Sequence, residues 1–344
     1  MRHDIDVLNP IEQPGWDESL PADGDASFFH TAAWARVLWE TYHYRPLYFA
    51  VRDNGGLTAL LPVMEVNSRL TGRRGVSLPF TDYCRPIRTN GTSAAEINDV
   101  VREYGRKRRW KYVECRGDCL SDAPAVTSFY RHALDLTTDS DALFARFKST
   151  TRRNIRKARR QGVEVGVHQS LEAVRQYYRL HCITRKRHGL PPQPKTFFEK
   201  IHEHVISQDL GLVVLARHDG KPVAGSVFFR FHDQAIYKYG ALDYAYQHLR
   251  PSDLVMWEGI RWHAEKGYRT LCFGRTKLDN VGLRRFKNQW GTTEEVVDYH
   301  RYDFRREAYV ESRPDDGGGH GRLFGAMPIG LLRILGSLLY KHMG

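Results

Sequence analysis

The chain is short of the residues that define several large protein classes. Only five of its 344 residues are cysteine: Cys84, Cys115, Cys119, Cys182 and Cys272. The count is odd and no pair has C-x-x-C spacing, which argues against a disulfide framework and a structural zinc site. Cys115 and Cys119 read as buried thiols, and a reducing cytoplasm is the expected compartment. No run reaches the ~18 to 20 apolar residues of a membrane-spanning helix. The opening MRHDIDVLNP lacks the apolar core of a signal peptide. There is no P-loop, dinucleotide fingerprint or G-x-S-x-G. His202-Glu-His204 lacks the i, i+4 spacing of a metalloprotease helix, so no metal is expected. Acidic residues are outnumbered, 40 against 52 Lys and Arg, for a net charge of +12. That excess points to an anionic partner: nucleic acid, a phosphate-bearing substrate or an anionic membrane surface.

What is present suits a globular chain of two domains, with 41% hydrophobic and 27% charged residues. YFAVRDNGGLTALLPVM (48–64) and VVLARHDGKPVAGSVFF (213–229) align without a gap, at one constant offset. Each reads as an apolar strand, a polar turn and a second apolar strand. Asn54-Gly55 and Asp219-Gly220 are hairpin signals. The single long offset suggests a duplicated domain. Helices are expected over 28–42, 94–109, 140–161, 171–188 and 195–207, with 314–321 (PDDGGGHG) a flexible linker.

The most informative stretch is 246–291. A turn at Arg250-Pro251 leads into an amphipathic helix closed by Gly267. Residues 268–273 read as a short strand, and a charged turn precedes a second helix carrying Phe286 and Lys287. From the chain alone Lys287 reads first as a surface lysine on an amphipathic helix and only second as a reaction-centre cation. Asp279-Asn280 suits a helix N-cap as well as a catalytic carboxylate, with Asp279 favoured as the cap. Tyr239 suits core packing as well as substrate contact. Residues 146–160 hold eight cations and no acid. They read either as a solvated helix paired with neighbouring acids or as an anion-binding surface.

These pieces resemble the FemAB-like branch of the GNAT superfamily. The motifs that carry the resemblance are FFHTAAW (28–34), LPFTDYCRP (78–86), STTRRNIRKARRQGVEV (149–165), ARHDGKPVAG (216–225) and GLRRFKNQWG (282–291). The resemblance implies an α/β fold of two tandem GNAT-like domains, each a mixed central sheet with flanking helices. The expected boundaries are 1–140 and 141–310 for the two domains, 311–322 for the linker and 323–344 for an amphipathic C-terminal helix. It implies a transferase forming an amide on an amino group of a cell-envelope precursor such as a peptidoglycan stem peptide. The expected donor is aminoacyl-tRNA, a co-substrate and not a tightly bound cofactor. One alternative is N-acyl transfer from acyl-CoA or acyl carrier protein to an amino sugar or small amine. Another is a non-enzymatic tRNA or envelope-scaffold binder.

The resemblance also assigns roles. Phe286 and Lys287 would sit at the reacting carbonyl, where a fixed ammonium stabilises the tetrahedral oxyanion. Asp82 and Asp279 are the candidate carboxylates for the amine proton. Tyr239, Arg187, Arg36, Arg275 and Arg250 are candidate substrate contacts, and Arg152, Arg153 and Arg156 candidate tRNA contacts. In simpler GNAT enzymes a Gly-rich loop binds the coenzyme A pyrophosphate at a helix start. Here RPSD (250–253) replaces it, and Asp253 disfavours a pyrophosphate. In IGLLRILGSLLY (329–340), Leu331, Ile334, Leu335 and Leu338 form an apolar stripe, with Arg333, Ser337 and Lys341 on another face. The expected placement is cytoplasmic. The stripe would rest peripherally on an anionic membrane or dock on the protein's own core.

Overall fold

The computed structural model describes residues 5–22, 26–53, 56–88, 94–117, 123–311 and 321–344. The chain divides into two compact units. Met1–Phe129, Val296–Asp316 and Leu339–Gly344 form the first, and Tyr130–Glu295 and Gly317–Leu338 the second.

The first unit contains β1 (Ile5–Leu8), α1 (Trp16–Ser19), α2 (Ala32–Tyr42), β2 (Arg45–Asp53), β3 (Gly56–Ser68), β4 (Gly72–Val76), β5 (Ile87–Arg88), α3 (Ala94–Lys107) and β6 (Tyr112–Arg116). Then β7 (Thr127–Asp135) leads into the second unit. There follow α4 (Ser140–Ala145), α5 (Ser149–Arg160), β8 (Glu164–His168), α6 (Leu171–Arg187), α7 (Lys195–Ile201), β9 (Gly211–His218), β10 (Lys221–Phe231), β11 (Gln234–Leu242), α8 (Pro251–Glu265), β12 (Thr270–Lys277) and α9 (Val281–Asn288). The chain closes with β13 (Thr293–Asp303), β14 (Ala308–Tyr309), α10 (Gly321–Ala326) and α11 (Ile329–Leu339).

Each unit has a mixed sheet of the same design. In the first, β1, β2, β3 and β4 are antiparallel neighbours, and β6 joins β4 in parallel after the α3 crossover. In the second, β8, β9, β10 and β11 are antiparallel neighbours, and β12 joins β11 in parallel after the α8 crossover. The duplication extends to the register. Arg52 pairs Leu57 and Val51 pairs Ala59 across a bulge in β2–β3. Arg217 pairs Pro222 and Ala216 pairs Ala224 across the corresponding bulge in β9–β10. The interval between each position and its counterpart is the one that aligns the two sequence segments. Bulges are placed features of a sheet, so their coincidence argues for a repeated unit and not for two common hairpins. The second hairpin turns on Asp219 and Gly220, both at positive φ, as a two-residue turn matched to strand twist requires. Asn54-Gly55 lies outside the described residues.

The second unit's core explains its strands. β9 is buried through Ala216, as a strand covered on both faces must be. Leu212, Val214 and Ala216 join Ile155 and Ala158 of α5 and Leu254, Trp257 and Ile260 of α8 in one cluster. Gly225, one position from Ala224, faces the other way, where a β-carbon would meet Tyr177 of α6 at 3.2 Å. Helices therefore cover both faces.

Several expectations are corrected. The helix expected over 140–161 is two, α4 and α5. Phe147 is buried against Trp257 and Trp290, and Lys148 N–H donates to Gln289 O at 3.0 Å. Both contacts turn the chain at 146–148. The helix expected over 195–207 changes to a π-turn at His202–Ile206. Cys115 is disulfide-bonded and not a free thiol; Cys119 lies outside the described residues, as does most of the expected linker 311–322. Among the described residues, no helix is long and apolar enough to cross a membrane.

Candidate active site

The second unit's sheet opens where its parallel pair separates. β11 and β12 are in register only from Gln234–Thr270 to Ile236–Cys272. Beyond that β11 continues to Leu242 and β12 to Lys277, with no further ladder between them among the described residues. Past that point the facing strand edges do not pair with each other, and Lys287 supplies the donor for two carbonyls of β12. Gly274, at φ +69°, is bent in a way that side-chain-bearing residues rarely adopt.

Lys287 reaches this bend. It lies in the last turn of α9, is 3% exposed, and donates from Nζ to Gly274 O and Arg275 O, each at 3.0 Å. The two carbonyls fix a cation at the place where β12 leaves the ladder. Phe286 is half-buried and packs edge-on to Trp290 at 6.2 Å, which orients the helix on the core. Asn280 caps α9 by accepting from Leu283 N–H at 3.0 Å. The cap is therefore Asn280 and not Asp279, whose side chain is exposed.

A polar network surrounds Lys287 and was not anticipated. Asn288 donates through Nδ2 to Glu294 Oε1, and Glu294 Oε2 accepts from Arg284 Nε at 2.6 Å. Asn288 Oδ1 is thereby left as an acceptor and takes a hydrogen bond from His132 Nδ1 at 3.1 Å. That fixes the proton on Nδ1 and leaves the lone pair on Nε2, which is buried without a partner. Burial, with the Lys287 charge second, lowers the His132 pKa to about 4, so the ring is neutral at physiological pH. His132 stands in β7 with no motif around it. Its only sequence signal is a histidine at an inward strand position, where Phe129, His132 and Leu134 are the buried residues.

The start of α8 adjoins this sheet. Arg250 is left-handed at φ +62° and exposed, and Pro251 occupies the first turn, where its missing N–H costs nothing. Asp253 follows, its carboxyl pKa raised chiefly by burial and its Oδ1 3.5 Å from Asn154 Nδ2. A carboxylate thus stands in the turn whose N–H groups would otherwise attract a phosphate.

The remaining candidates are dispersed. Tyr239 packs among Phe198, His181, Phe197 and Phe229, a core environment. Arg187 is exposed with its guanidinium 3.9 Å from the Tyr244 ring centroid. Arg275 supplies its carbonyl to Lys287. On α5, Arg153 and Arg156 are exposed, Arg156 lies over Phe144 at 5.6 Å, and Arg152 Nε is buried without a partner. Among the described residues only Arg159 of that helix meets a carboxylate, Glu258 at 2.9 Å. Asp82 and Arg36 belong to the first unit. There Asp82 O accepts from Tyr299 Oη, and Arg36 donates to Ile11 O at 3.4 Å.

Residues 145–288 match the model of the acetyltransferase (GNAT) domain family, all within the second unit. Over 207 residues the chain is 23% identical to the UDP-N-acetylmuramoylpentapeptide-lysine N(6)-alanyltransferase of Weissella viridescens, covering 57% of this chain and 60% of that protein. The crystal structure of FemX superposes with a TM-score of 0.66 at 12% identity, covering 88% of this chain and 98% of FemX. Residues 145–288 are thus a GNAT domain, and the chain as a whole is similar to the FemAB-like branch of the GNAT superfamily. A tandem GNAT protein from the clavulanic acid biosynthesis pathway superposes with a TM-score of 0.50 at 10% identity, covering 76% of this chain and 83% of that one. The two sheet units of this FemAB-like chain are accordingly two GNAT folds. The match spans 60% of the alanyltransferase's length, and the similarity to FemX and the tandem protein is one of fold.

Proposed function

We propose that this FemAB-like protein transfers an aminoacyl group from aminoacyl-tRNA to an amino group of a cell-envelope precursor, forming an amide. The observation that carries the reading is Lys287, a buried ammonium held by two carbonyls at the mouth of the β11–β12 split. The acceptor nitrogen attacks the ester carbonyl, the N–C bond forms, and negative charge gathers on the carbonyl oxygen. A fixed cation in a water-poor setting stabilises that charge without reorganising. Collapse breaks the ester C–O bond, and the ribose hydroxyl leaves with the proton the amine has lost. Phe286 positions Lys287, and Asp82 or Asp279 takes the amine proton directly or through water.

Two features favour a tRNA ester over a coenzyme A thioester. Asp253 puts a carboxyl group in the turn where a pyrophosphate would bind. Arg153 and Arg156 on α5 have no carboxylate partner among the described residues and offer phosphate contacts, with Arg152 beside them. Arg250, Arg275, Arg187, Arg36 and Tyr239 are the proposed substrate contacts. The Weissella relative's acceptor is the lysine of UDP-N-acetylmuramoylpentapeptide, which makes that precursor the first acceptor to try. Cytoplasmic action with residues 323–344 at the inner membrane face completes the proposal.

The test is aminoacyl transfer from total charged tRNA to that precursor, read by mass spectrometry. Product with tRNA and none with acyl-CoA supports the reading. Product only with acyl-CoA or acyl carrier protein replaces it by N-acyl transfer, and no product with any donor favours a binding role.

A further inference from the structure

The expected apolar stripe of the C-terminal helix is not the face that docks. α11 seats itself within the second unit through Leu332, which is 0% exposed, and Gly336, where a β-carbon would lie 1.9 Å from Pro192 O. Glycine is required there because the helix backbone approaches the 190–193 segment directly. That seat turns Leu331, Ile334 and Leu338 outward, at 44%, 60% and 54% exposure, with Leu323 of α10 at 57%. A docked helix normally buries its large apolar residues. This one buries Leu332 and a glycine and presents a ridge of three aliphatic side chains to solvent, with Leu323 of α10 a fourth.

Cations border the ridge. Arg333 lies on α11 itself, and residues 321–344 contain no Asp or Glu. The last turn of α6 carries Arg185, Lys186 and Arg187 and adjoins α10, where a β-carbon on Gly325 would sit 3.8 Å from Lys186 O. At the foot of the ridge is a cavity of about 340 Å³ lined by Tyr178, Lys195, Gly330, Arg333, Ile334 and Ser337. Arg333 is exposed and lies over the Tyr178 ring at 5.6 Å. The nearby carboxylate, Glu199, is shared between Lys195 at 2.9 Å and Arg175 at 3.7 Å, so the cavity keeps an excess of positive charge.

We infer that the α10–α11 ridge and the cavity at its foot form a docking surface for an anionic phospholipid bilayer, with a headgroup phosphate against Arg333 and Lys195. Aliphatic side chains beside cations, with no acid in the segment, suit the boundary between acyl chains and anionic headgroups. The same charge pattern opposes a second copy of this surface, which would set cation against cation. The inference deepens the envelope placement proposed above and rests on it for biological sense. Its test contains no acyl donor or acceptor, so the two fail separately.

The experiment is flotation of the full chain with phosphatidylcholine vesicles, with and without phosphatidylglycerol. Binding is expected only with phosphatidylglycerol. Ile334→Asp with Leu338→Asp should lower partitioning by more than about tenfold. Arg333→Gln with Lys195→Gln should lower it by about fivefold per cation removed, whereas inorganic phosphate should not compete with the vesicles. The ridge positions are solvent-facing, so thermal melting should match wild type; if the Asp pair melts early, Ile334→Ser with Leu338→Ser replaces it. No binding to phosphatidylglycerol vesicles, or equal binding by well-folded ridge variants, overturns the inference. So does a wild-type dimer that the ridge variants dissociate, which would make the ridge a contact between copies.

Discussion

Lowering the pH should unfold the second unit through its buried histidines, with His132 at the candidate site among them. Burial is the first cause of depression for His132, His181 and His263, with pKa values of about 4, 3 and 4. In the unfolded chain each returns to about 6.5. Between the folded and unfolded values the unfolded state binds more protons, so stability rises with pH and falls on acidification. The loss begins as pH drops below about 6.5 and is complete near the folded pKa. For His132 the full effect is about 3 kcal/mol, and about 2 kcal/mol is lost by pH 5. The set together is comparable to the whole stability of an ordinary domain. Carboxylates also titrate in this range, so the informative quantity is a difference. His132→Asn keeps a donor for Asn288 Oδ1 and cannot titrate. Urea unfolding by tryptophan fluorescence at pH 7, 6 and 5 should show the variant losing about 2 kcal/mol less than wild type. Identical pH dependence would refute the placement of a neutral histidine beside Lys287.

Other outcomes follow from the same contacts. Lys287→Met should raise the His132 pKa measured by NMR, because a nearby cation is removed, but not fully to its ordinary value, because burial remains the leading cause. Arg153→Glu with Arg156→Glu should weaken tRNA binding and reduce the slope of log affinity against log salt by about 1 for each lost phosphate contact; an unchanged slope would remove α5 from the tRNA surface. Gly336→Ala should force α11 off the Pro192 carbonyl, at about 1–3 kcal/mol. Hydrogen exchange confined to 321–338 would report it, and unchanged protection there would show that the seat is misread.

Much of the fold is legible because it is written locally. The Asp219-Gly220 turn and the alternation around it fix a hairpin, and the constant offset between the halves carries that hairpin and its bulge into both. The break between α4 and α5 is not local. Nothing in Arg146-Phe147-Lys148 forbids a helix; Phe147's burial against Trp257 and Trp290 and the Lys148 N–H bond to Gln289 O stop it. For α11, periodicity finds the stripe of Leu331, Ile334, Leu335 and Leu338, whereas the helix docks through Leu332 and Gly336. The choice depends on the close approach at Gly336, which no pattern of hydrophobicity encodes. At the site, Lys287 is marked by the Phe-Lys pair, but its partners are backbone carbonyls of β12 and carry no side-chain signature. His132 is one histidine in a strand, brought beside Lys287 by Asn288. Asp279 is the favoured cap on paper, and the structure selects Asn280 instead.

The most direct test of the central claim is single-turnover transfer from charged tRNA to an amine-bearing envelope precursor by wild type and Lys287→Met. Loss of the ammonium leaves Gly274 O and Arg275 O without their donor, at about 1–3 kcal/mol each in stability, so the assay is run well below the variant's melting temperature. The account predicts that the variant still retains charged tRNA while transfer falls by about 10²–10³-fold. Transfer at the wild-type rate by the folded variant would contradict the assignment of Lys287 to the reacting carbonyl.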